Sequence, residues 1–340
     1  MRRLAAALPA LVLLASGPSA AETGIDPITW LQRAAASARQ ATYSGTIMHV
    51  QGERSSTSRI THLVVAGIEQ EKIESLDGPR REVVRRGNEM QCFFPDAKTV
   101  RIDRRVTARF FPSLFSGPVE AIAEGYHLKL GAVERVAGLD CQWIHLDPKD
   151  ALRYAQRLCA ELGSGLLLRA TTLNARNQVL EQYGFIDVRL GGDVSKRDLR
   201  STFQAQSKDW RRDEQPSVEQ AAGATGWAVA QLPPGFRVVG EMQRAMPNRP
   251  APVTQLVLSD GFASMSVFIE PVTAPPPVNE AASQSGERRG GPRLTEAISQ
   301  EGTLSVYARP AGEHLITVLG EVPPAAAQQV GRSVGRPAAR

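Results

Sequence analysis

LLLRATTLNARNQVLEQYGFIDVRL, residues 166–190, predicts two β-strands joined by a turn. The turn falls at 174–177, where asparagines tolerate the positive φ angles that tight turns need. A strand with one face in water alternates apolar and polar side chains. Here apolar residues occupy both parities, as Phe185 and Ile186 do in the second strand. We therefore expect other segments of the chain to cover the second face of this sheet.

The N-terminus has the features of a secretory signal peptide over residues 1–21. Arg2 and Arg3 form a basic start, an apolar run follows over 4–15, and small residues precede a cleavage site before Glu22. The apolar run is much shorter than the ~20 residues that span a bilayer. We therefore predict that the leader is removed and that the mature chain is a soluble periplasmic protein.

The length of 340 residues and a change of composition near position 200 predict two domains. The first part is rich in strand-forming residues, and a polar stretch with Gly and Pro follows it. A second low-complexity stretch, over 272–296, predicts a long loop. The predicted limits are 1–21 for the leader, 22–202 for an N-terminal domain, 203–222 for a linker and 223–340 for a smaller C-terminal domain.

One helix precedes the strands. Asp26 is a suitable N-cap and Pro27 suits the first helical position. After this helix the apolar period changes to two residues, which predicts a meander of antiparallel strands as far as 190.

The segment 108–126 interrupts that meander, because two prolines and a cluster of large apolar residues exclude a long strand. We expect it to form short helical turns that lie, with the first helix, over the concave face of a curved sheet. It contributes Phe110, Phe111, Leu114 and Phe115 to the candidate lining of an apolar cleft, with Trp30 and Trp143 as further candidates. The alternative is that these side chains only fill the core.

The three cysteines show no CxxC or CxxH spacing, which argues against a metal site or a thioredoxin-like motif. In an oxidising compartment, one disulfide and one free thiol is the simplest count. We predict a disulfide between Cys92 and Cys141, because both fall in short apolar strands, and this leaves Cys159 free. Three buried thiols are the alternative.

Enzyme motifs are scarce. The sequence has no GxSxG, HExxH, Walker loop or strand-following GxGxxG, and its five histidines stand singly. We therefore predict a protein that is not an enzyme and has no cofactor or metal. A hydrolase with noncontiguous catalytic residues stays a weaker alternative.

Positive charge is concentrated between 80 and 109, where eight arginines and Lys98 face four acidic residues. Arginine forks suit phosphates and carboxylates. Candidates for contact with a phosphate or an acidic partner segment are Arg80, Arg81, Arg85 and Arg86. A solvated strand face is the alternative, and nucleic acid is a poor candidate because basic and aromatic residues are not interleaved.

Four blocks of the sequence resemble the MucB/RseB family. They are REVVRRGNEMQCFFPDAKTV (81–100), VAGLDCQWIHLDPKDALRYAQRLCAELGSGLLLRATTLNARNQVLEQYGF (136–185), GWAVAQLPPGFRVVGEMQ (226–243) and LVLSDGFASMSVFIEP (256–271). The resemblance implies an α+β, mainly β chain. It implies an N-terminal domain similar to LolA and LppX, an unclosed antiparallel β-barrel with covering helices, followed by a smaller α+β domain. Cys159 departs from the pattern, where the family would have tryptophan.

The resemblance also implies a function: negative regulation of an envelope-stress sigma factor. The partner would be the periplasmic part of a single-span, MucA/RseA-like anti-sigma factor, which binding would shield from site-1 proteolysis. Acyl chains of lipopolysaccharide or lipoprotein would enter the barrel and release the partner. Phe262 and Met242 are our candidates for partner contact, Phe262 as an exposed aromatic in a turn. A LolA-like carrier of lipid or lipoprotein is the alternative function, and homo-oligomerisation is left open.

Overall fold

The structure is a computed structural model. It describes residues 25–104, 110–214, 217–221, 223–245, 251–272 and 295–336. The predicted leader, the Arg105 and Arg109 part of the basic stretch and most of the predicted loop over 272–296 lie outside the described residues.

Helix α1 (Pro27–Gln40) begins where the sequence predicts. The Asp26 carboxylate accepts hydrogen bonds from the N–H groups of Ile28 and Thr29, at 2.9 and 3.1 Å, and satisfies donors that the first turn leaves free. Its apolar stripe packs on the first sheet because the buried positions recur at helical spacing. These buried residues are Trp30, Leu31, Ala34, Ala35 and Ala38.

In the described part of the chain, twelve strands form the first sheet. The strands are β1 (Tyr43–Gln51), β2 (Arg54–Val65), β3 (Ile68–Ser75), β4 (Glu82–Arg86), β5 (Glu89–Phe94), β6 (Thr99–Asp103), β7 (Tyr126–Val136), β8 (Leu139–Pro148), β9 (Ala155–Glu161), β10 (Leu167–Leu173), β11 (Val179–Leu190) and β12 (Arg211–Glu214). Their order is β12-β6-β5-β4-β3-β2-β1-β11-β10-β9-β8-β7. Within these residues the end strands β12 and β7 do not pair, so the barrel is unclosed. The predicted mainly β fold with an unclosed antiparallel barrel is confirmed.

Helix α1 and the segment 110–125 cover the concave face of this sheet. A 3-10 turn (Val119–Ala121) and the one-turn helix α2 (Ile122–Gly125) end that segment. The two-faced pattern of 166–190 has two explanations. Leu167 and Leu168 are both fully buried, so β10 is covered on both faces, whereas in β11 Phe185 is buried but the next residue, Ile186, is 53% exposed.

The second sheet belongs to the C-terminal part. Its strands, among the described residues, are β13 (Ser217–Glu219), β15 (Arg237–Arg244), β16 (Val253–Ser259), β17 (Ser264–Pro271), β18 (Ala297–Glu301), β19 (Leu304–Ala311) and β20 (His314–Gly320), in the order β13-β15-β16-β17-β20-β19-β18. Helix α3 (Pro324–Ser333) packs on β19 and β20. The short strands β14 (Ala228–Val229) and β21 (Val334–Gly335) pair beside it.

The polar stretch between the sheets is ordered where the structure describes it. Phe203 and Trp210 pack on a small cluster of Phe93, Val100 and Ile102 on the convex face. Strand β12 then runs parallel to β6, and β13 pairs with β15 of the second sheet. This segment therefore ties the two sheets together. The predicted domain limits stay a prediction.

The predicted disulfide between Cys92 and Cys141 is wrong. Cys141 on β8 is bonded to Cys159 on β9, with a Cα–Cα distance of 5.4 Å, and Cys92 is a free thiol. Strands β8 and β9 are neighbours, and Trp143 lies opposite Cys159 in the register, so the two bonded cysteines are diagonal neighbours on one face. Cys92 lies on β5, on the far side of the sheet order from β8. Seven strands separate it from Cys141.

Candidate functional site: the junction of the two sheets

The apolar segment 110–118 contacts both sheets. The ring of Phe115 lies in the core of the first sheet and meets the ring of Phe262 edge-on, with centroids 5.9 Å apart. The Ser116 N–H donates to the Gly261 carbonyl at 2.9 Å, and the Ser116 hydroxyl is 2.7 Å from that of Ser259. The segment that plugs the barrel is thus hydrogen-bonded to the β16–β17 turn of the second domain.

That turn has a sequence requirement. Gly261 has φ +99°, a left-handed conformation that glycine adopts without strain. A Cβ at this position would lie 2.9 Å from the Pro118 carbonyl oxygen, so the close approach of the two segments also needs glycine. The Asp260 carboxylate accepts from the N–H groups of Phe262 and Ala263, at 3.0 and 2.8 Å, and fixes the turn.

Arg153, in the β8–β9 connection, is the second tie between the domains. Its side chain is fully buried and its guanidinium lies 5.5 Å from the ring centre of Tyr126 and 5.3 Å from that of Phe236. It donates to the Pro234 carbonyl at 2.6 Å and lies 3.3 Å from the Asp260 carboxylate. The Arg153 cation therefore contacts two aromatic rings and a buried carboxylate at the place where β9 approaches the second sheet.

The Asp260 side chain is almost completely buried, with an exposed fraction of 1%. Burial raises its pKa, and the N–H groups of Phe262 and Ala263 together with the Arg153 guanidinium offset only part of that effect. Moving a charge out of water is costly unless it is paired and hydrogen-bonded. The Asp260 carboxylate depends on Arg153 for this reason.

Glu181, on β11, forms a third tie. Its carboxylate accepts from Thr303 of the second domain at 2.9 Å and from Tyr183 at 3.0 Å, and lies 2.7 Å from the His49 ring nitrogen. Burial by itself raises the pKa of Glu181. The hydrogen bonds from His49, Thr303 and Tyr183 lower the pKa by more than burial raises it, so the net result is a pKa below the usual range. The site therefore favours the ionised carboxylate.

Between these ties lies a cavity of about 50 Å³. Its walls include Leu114, Tyr126, Tyr154, Tyr183 and Phe262. Small-molecule sites usually have volumes of roughly 300–1,000 Å³. The junction is therefore closed in this structure, and a bulky ligand would have to move one of its walls.

Two family descriptions match most of the chain. The family description "MucB/RseB N-terminal domain" matches residues 26–203, and "MucB/RseB C-terminal domain" matches 221–335. The sigma factor AlgU regulatory protein MucB of Pseudomonas aeruginosa is 31% identical, over 91% of this chain and 90% of that protein.

The chain belongs to the MucB/RseB family. The sigma-E factor regulatory protein RseB of Escherichia coli K12 is 27% identical, over 76% of this chain and 74% of its own length. A solved MucB chain, in a structure described as the complex of P. aeruginosa MucA and MucB, superposes with a TM-score of 0.69. That chain is 28% identical, and the match covers 92% of this chain and 99% of that one. The family resemblance seen in the sequence is confirmed.

In this MucB/RseB-family chain the predicted lipid-lining residues do not line an open cleft. Phe111, Phe115 and Trp30 are buried in the core, and Leu114 and Trp143 pack against it. Phe110 points away from it and is 38% exposed. An acyl chain could reach the concave face only by displacing some of these side chains. Their role in lipid binding stays a prediction.

Neither candidate for partner contact has an exposed side chain in the structure, although we expected Phe262 to be exposed. Phe262 is half-buried against Phe115, because its turn is docked on segment 110–118. Met242 on β15 is 4% exposed, since its position in the strand faces inward. Neither side chain offers an open surface for a peptide in this arrangement. A part in partner binding stays a prediction, and it would act through the junction.

The four candidate arginines do not form one patch. Successive strand residues point to opposite faces, which separates Arg85 from Arg86. Arg85 is 6% exposed, with Glu69 and Glu71 at 3.7 and 3.8 Å, whereas Arg86 is exposed. Arg80 pairs with Asp96 at 2.8 Å, and Arg81 is exposed. Arg85 could contact an external phosphate or acidic segment only by leaving these two glutamates. The role of the four arginines stays a prediction.

Sequence reasoning missed Arg153, Glu181 and Thr303. The DPKD sequence before Arg153 predicts a turn. Nothing in the sequence indicates that the single arginine after this turn is buried. Val179 and Tyr183 occupy the strand positions on either side of Glu181 on the same face, which could have indicated an inward-facing carboxylate. The carboxylate of Asp260 that faces Arg153, and the Thr303 hydroxyl that donates to Glu181, each lie more than 100 positions away along the chain.

Among the residues that the structure describes, no helix is long and apolar enough to cross a membrane, and no three His, Cys, Asp or Glu side chains are grouped as metal ligands. The relatives are named as regulatory proteins. That the chain is not an enzyme stays a prediction.

Proposed function

We propose that this protein is a periplasmic regulator that binds the periplasmic part of a membrane anti-sigma factor of the MucA type. The observation that carries the proposal is the match to a MucB chain solved with MucA, which extends over both domains. Because the predicted leader would export the chain, both proteins would meet in the periplasm.

Binding would protect the anti-sigma factor from its first protease. A protease needs an extended, accessible segment, and a segment held on the surface of this chain would not reach a protease active site. The bound segment would rest on both sheets, so that the relative orientation of the domains would set the affinity. The ties through Arg153, Glu181 and Ser116 would fix that orientation.

Lipid would release the partner through segment 110–118. Phe111 and Phe115 fill the concave face, and Phe115 also touches Phe262. An acyl chain that enters the barrel would take the place of these rings and move the segment. The β16–β17 turn, which is hydrogen-bonded to Ser116 through Gly261 and Ser259, would move with it, and the partner-binding arrangement would be lost.

The binding step is tested with residues 22–340 and the periplasmic fragment of the anti-sigma factor from the same organism. We expect a stable complex by calorimetry, and slower cleavage of the fragment by its site-1 protease when the complex has formed. A fragment that fails to bind, or that is cleaved at the same rate when bound, contradicts the regulator function.

The release step needs a separate experiment. Lipopolysaccharide is added to the complex, and the same lipopolysaccharide with its acyl chains removed is the control. We expect only the acylated form to release the fragment. In Phe115→Ala we expect weaker coupling between lipid and fragment, whereas Phe110→Ala, a neighbour with an exposed ring, should behave as wild type. Acyl binding that leaves the complex intact would favour the carrier function instead.

A further inference from the structure

The convex face of the first sheet carries a second concavity, far from the junction. It lies between strands β3–β5 and the segment 196–204, with a volume of about 490 Å³. The strand register places its wall residues on one face, since Gln70 lies opposite Arg86, and Val84 lies opposite Gln91. Leu199 is buried beneath the segment and holds it against the sheet.

Four basic residues line this concavity: Arg85, Arg86, Lys196 and Arg200. The Arg85 side chain belongs to the opposite face of the sheet and is paired with Glu69 and Glu71. The cations available to a ligand are therefore Arg86, Lys196 and Arg200. Within the described ranges, none of them has a carboxylate oxygen within the 4.0 Å of an ion pair. Other arginines of the same strands are paired, for example Arg80 with Asp96 and Arg85 with two glutamates. Three unpaired cations therefore share one concave surface.

The acid at the rim is already engaged. Glu89 accepts from the Gln91 amide at 2.9 Å and lies 3.7 Å from Arg104. Its charge is thus compensated outside the concavity. The three cations keep a net positive charge, which suits a ligand with more than one negative charge.

We propose that this concavity binds a phosphomonoester. A phosphomonoester carries a charge of about −1.5 to −2 at pH 7 and three strong acceptor oxygens. Arginine forks match these oxygens in pairs. The amides of Gln70, Gln91 and Gln204 offer hydrogen bonds to hydroxyl groups beside the phosphate, and Val65 and Ile68, which is 43% exposed, form an apolar rim.

The surrounding strands argue for a compact ligand. Both edges of β3, β4 and β5 are paired, so an extended peptide cannot add as a further strand there. The concavity also lies on the opposite face of the sheet from the plugged barrel. The inference therefore goes beyond the proposed function and does not depend on it.

Calorimetry with residues 22–340 and glycerol 3-phosphate tests the site. We expect saturable binding that weakens at least tenfold in Arg86→Gln/Arg200→Gln and weakens with added salt. Arg197→Gln is the matched control: it is exposed on the same segment but lines the neighbouring concavity beside Asp193 and Asp198, so it should bind as wild type.

Vesicles distinguish the source of the phosphate. Phosphatidylcholine vesicles with phosphatidic acid present a lipid phosphomonoester, and vesicles with phosphatidylglycerol present a diester of lower charge. Co-sedimentation with phosphatidic acid vesicles, lost in Arg86→Gln/Arg200→Gln, supports a lipid-borne ligand. Binding of glycerol 3-phosphate without vesicle binding supports a soluble one.

Three results would overturn the inference. They are no binding of either phosphomonoester to wild type, unchanged binding in the double variant, and equal binding of phosphatidylglycerol and phosphatidic acid. Anti-sigma fragment binding is measured on the same double variant without phosphate. Its loss would assign the concavity to an acidic partner segment and reject the phosphate site, whereas failure of fragment binding in wild type would reject only the proposed function.

Discussion

Arg153 Nη1 lies 3.3 Å from Asp260 Oδ2, and both side chains are completely buried. The arginine comes from the first domain and the aspartate from a turn of the second, so this buried ion pair joins the two. Removing two charges from water costs several kcal/mol per ion. The attraction between the charges offsets this cost when the geometry is good, but it adds little beyond that. We infer that the pair specifies how the domains are oriented more than it adds to their stability.

Breaking the pair from one side should be costly. Arg153→Met leaves Asp260 buried without a cation, and we expect the free energy of unfolding in urea to fall by about 3–5 kcal/mol. Arg153→Met/Asp260→Asn should recover part of this loss, because the stranded charge is removed as well. Additive effects of the two single variants would contradict the coupling.

An exposed pair between the same domains provides the control. Arg237 of β15 lies 2.8 Å from Glu124, but the side chains are 61% and 48% exposed. Arg237→Gln should change the free energy of unfolding by less than about 1 kcal/mol, since solvent and salt screen such pairs. It should also leave anti-sigma fragment binding unchanged, whereas Arg153→Met should weaken it.

The segment 110–118 allows a second matched comparison. Phe115→Ala removes a ring that is 5% exposed, and we expect a loss of about 3–5 kcal/mol from lost burial and the cavity it leaves. Phe110→Ala changes a ring that is 38% exposed and should cost less than about 0.5 kcal/mol. Equal losses in thermal or urea unfolding would show that Phe115 is not a packing residue.

Local signals predicted much of the fold. Asp26 and Pro27 marked the first helix, and the turn at 174–177 with its flanking strands appeared where the sequence placed it. Such features depend on residues a few positions apart, which one sequence displays directly. The sequence also predicted that other segments cover the second face of the sheet, because the strands over 166–190 carry apolar side chains on both faces.

Features that depend on strand register, or on partners distant along the chain, could not be predicted from the sequence. The choice between Cys92 and Cys159 as the partner of Cys141 required the order of the strands in the sheet. The apolar residues around Cys92 and Cys141 do not reveal that order. Arg85 and Arg86 differ only in the face on which they lie. Phe262 suggested an exposed turn, but that turn is docked on a segment about 145 positions earlier in the chain, at Ser116 and Phe115.

The disulfide has a simple test. Denatured, unreduced protein should show one reactive thiol out of three, and Cys92→Ser should abolish it. Cys141→Ser/Cys159→Ser should lower the free energy of unfolding by about 3 kcal/mol, because the bond closes a loop of 18 residues. Two reactive thiols in denatured, unreduced Cys92→Ser would contradict the pairing.

The carboxylate of Glu181 makes one tie dependent on pH. Its pKa lies below the usual 4.5, so the folded state holds the ionised form more tightly than the unfolded state does. The stability that it contributes is therefore present above pH 4.5 and is lost as the pH falls through the lower, folded-state pKa. Glu181→Gln lacks this contribution, and charge-assisted hydrogen bonds suggest a loss of about 2–3 kcal/mol at pH 7.

The measurement is the difference in the free energy of unfolding between wild type and Glu181→Gln from pH 7 to pH 3. We expect the difference to stay constant down to about pH 5 and to shrink below that. Asp260 shifts in the opposite direction, with a raised pKa, but it is present in both proteins and cancels in the difference. Thr303→Val keeps the carboxylate and removes its hydrogen bond across the domains, so it should show the same pH dependence with a smaller amplitude. A wild-type to Glu181→Gln difference that is flat to pH 3 would mean that the tie to Thr303 and His49 does not depend on the charge of Glu181.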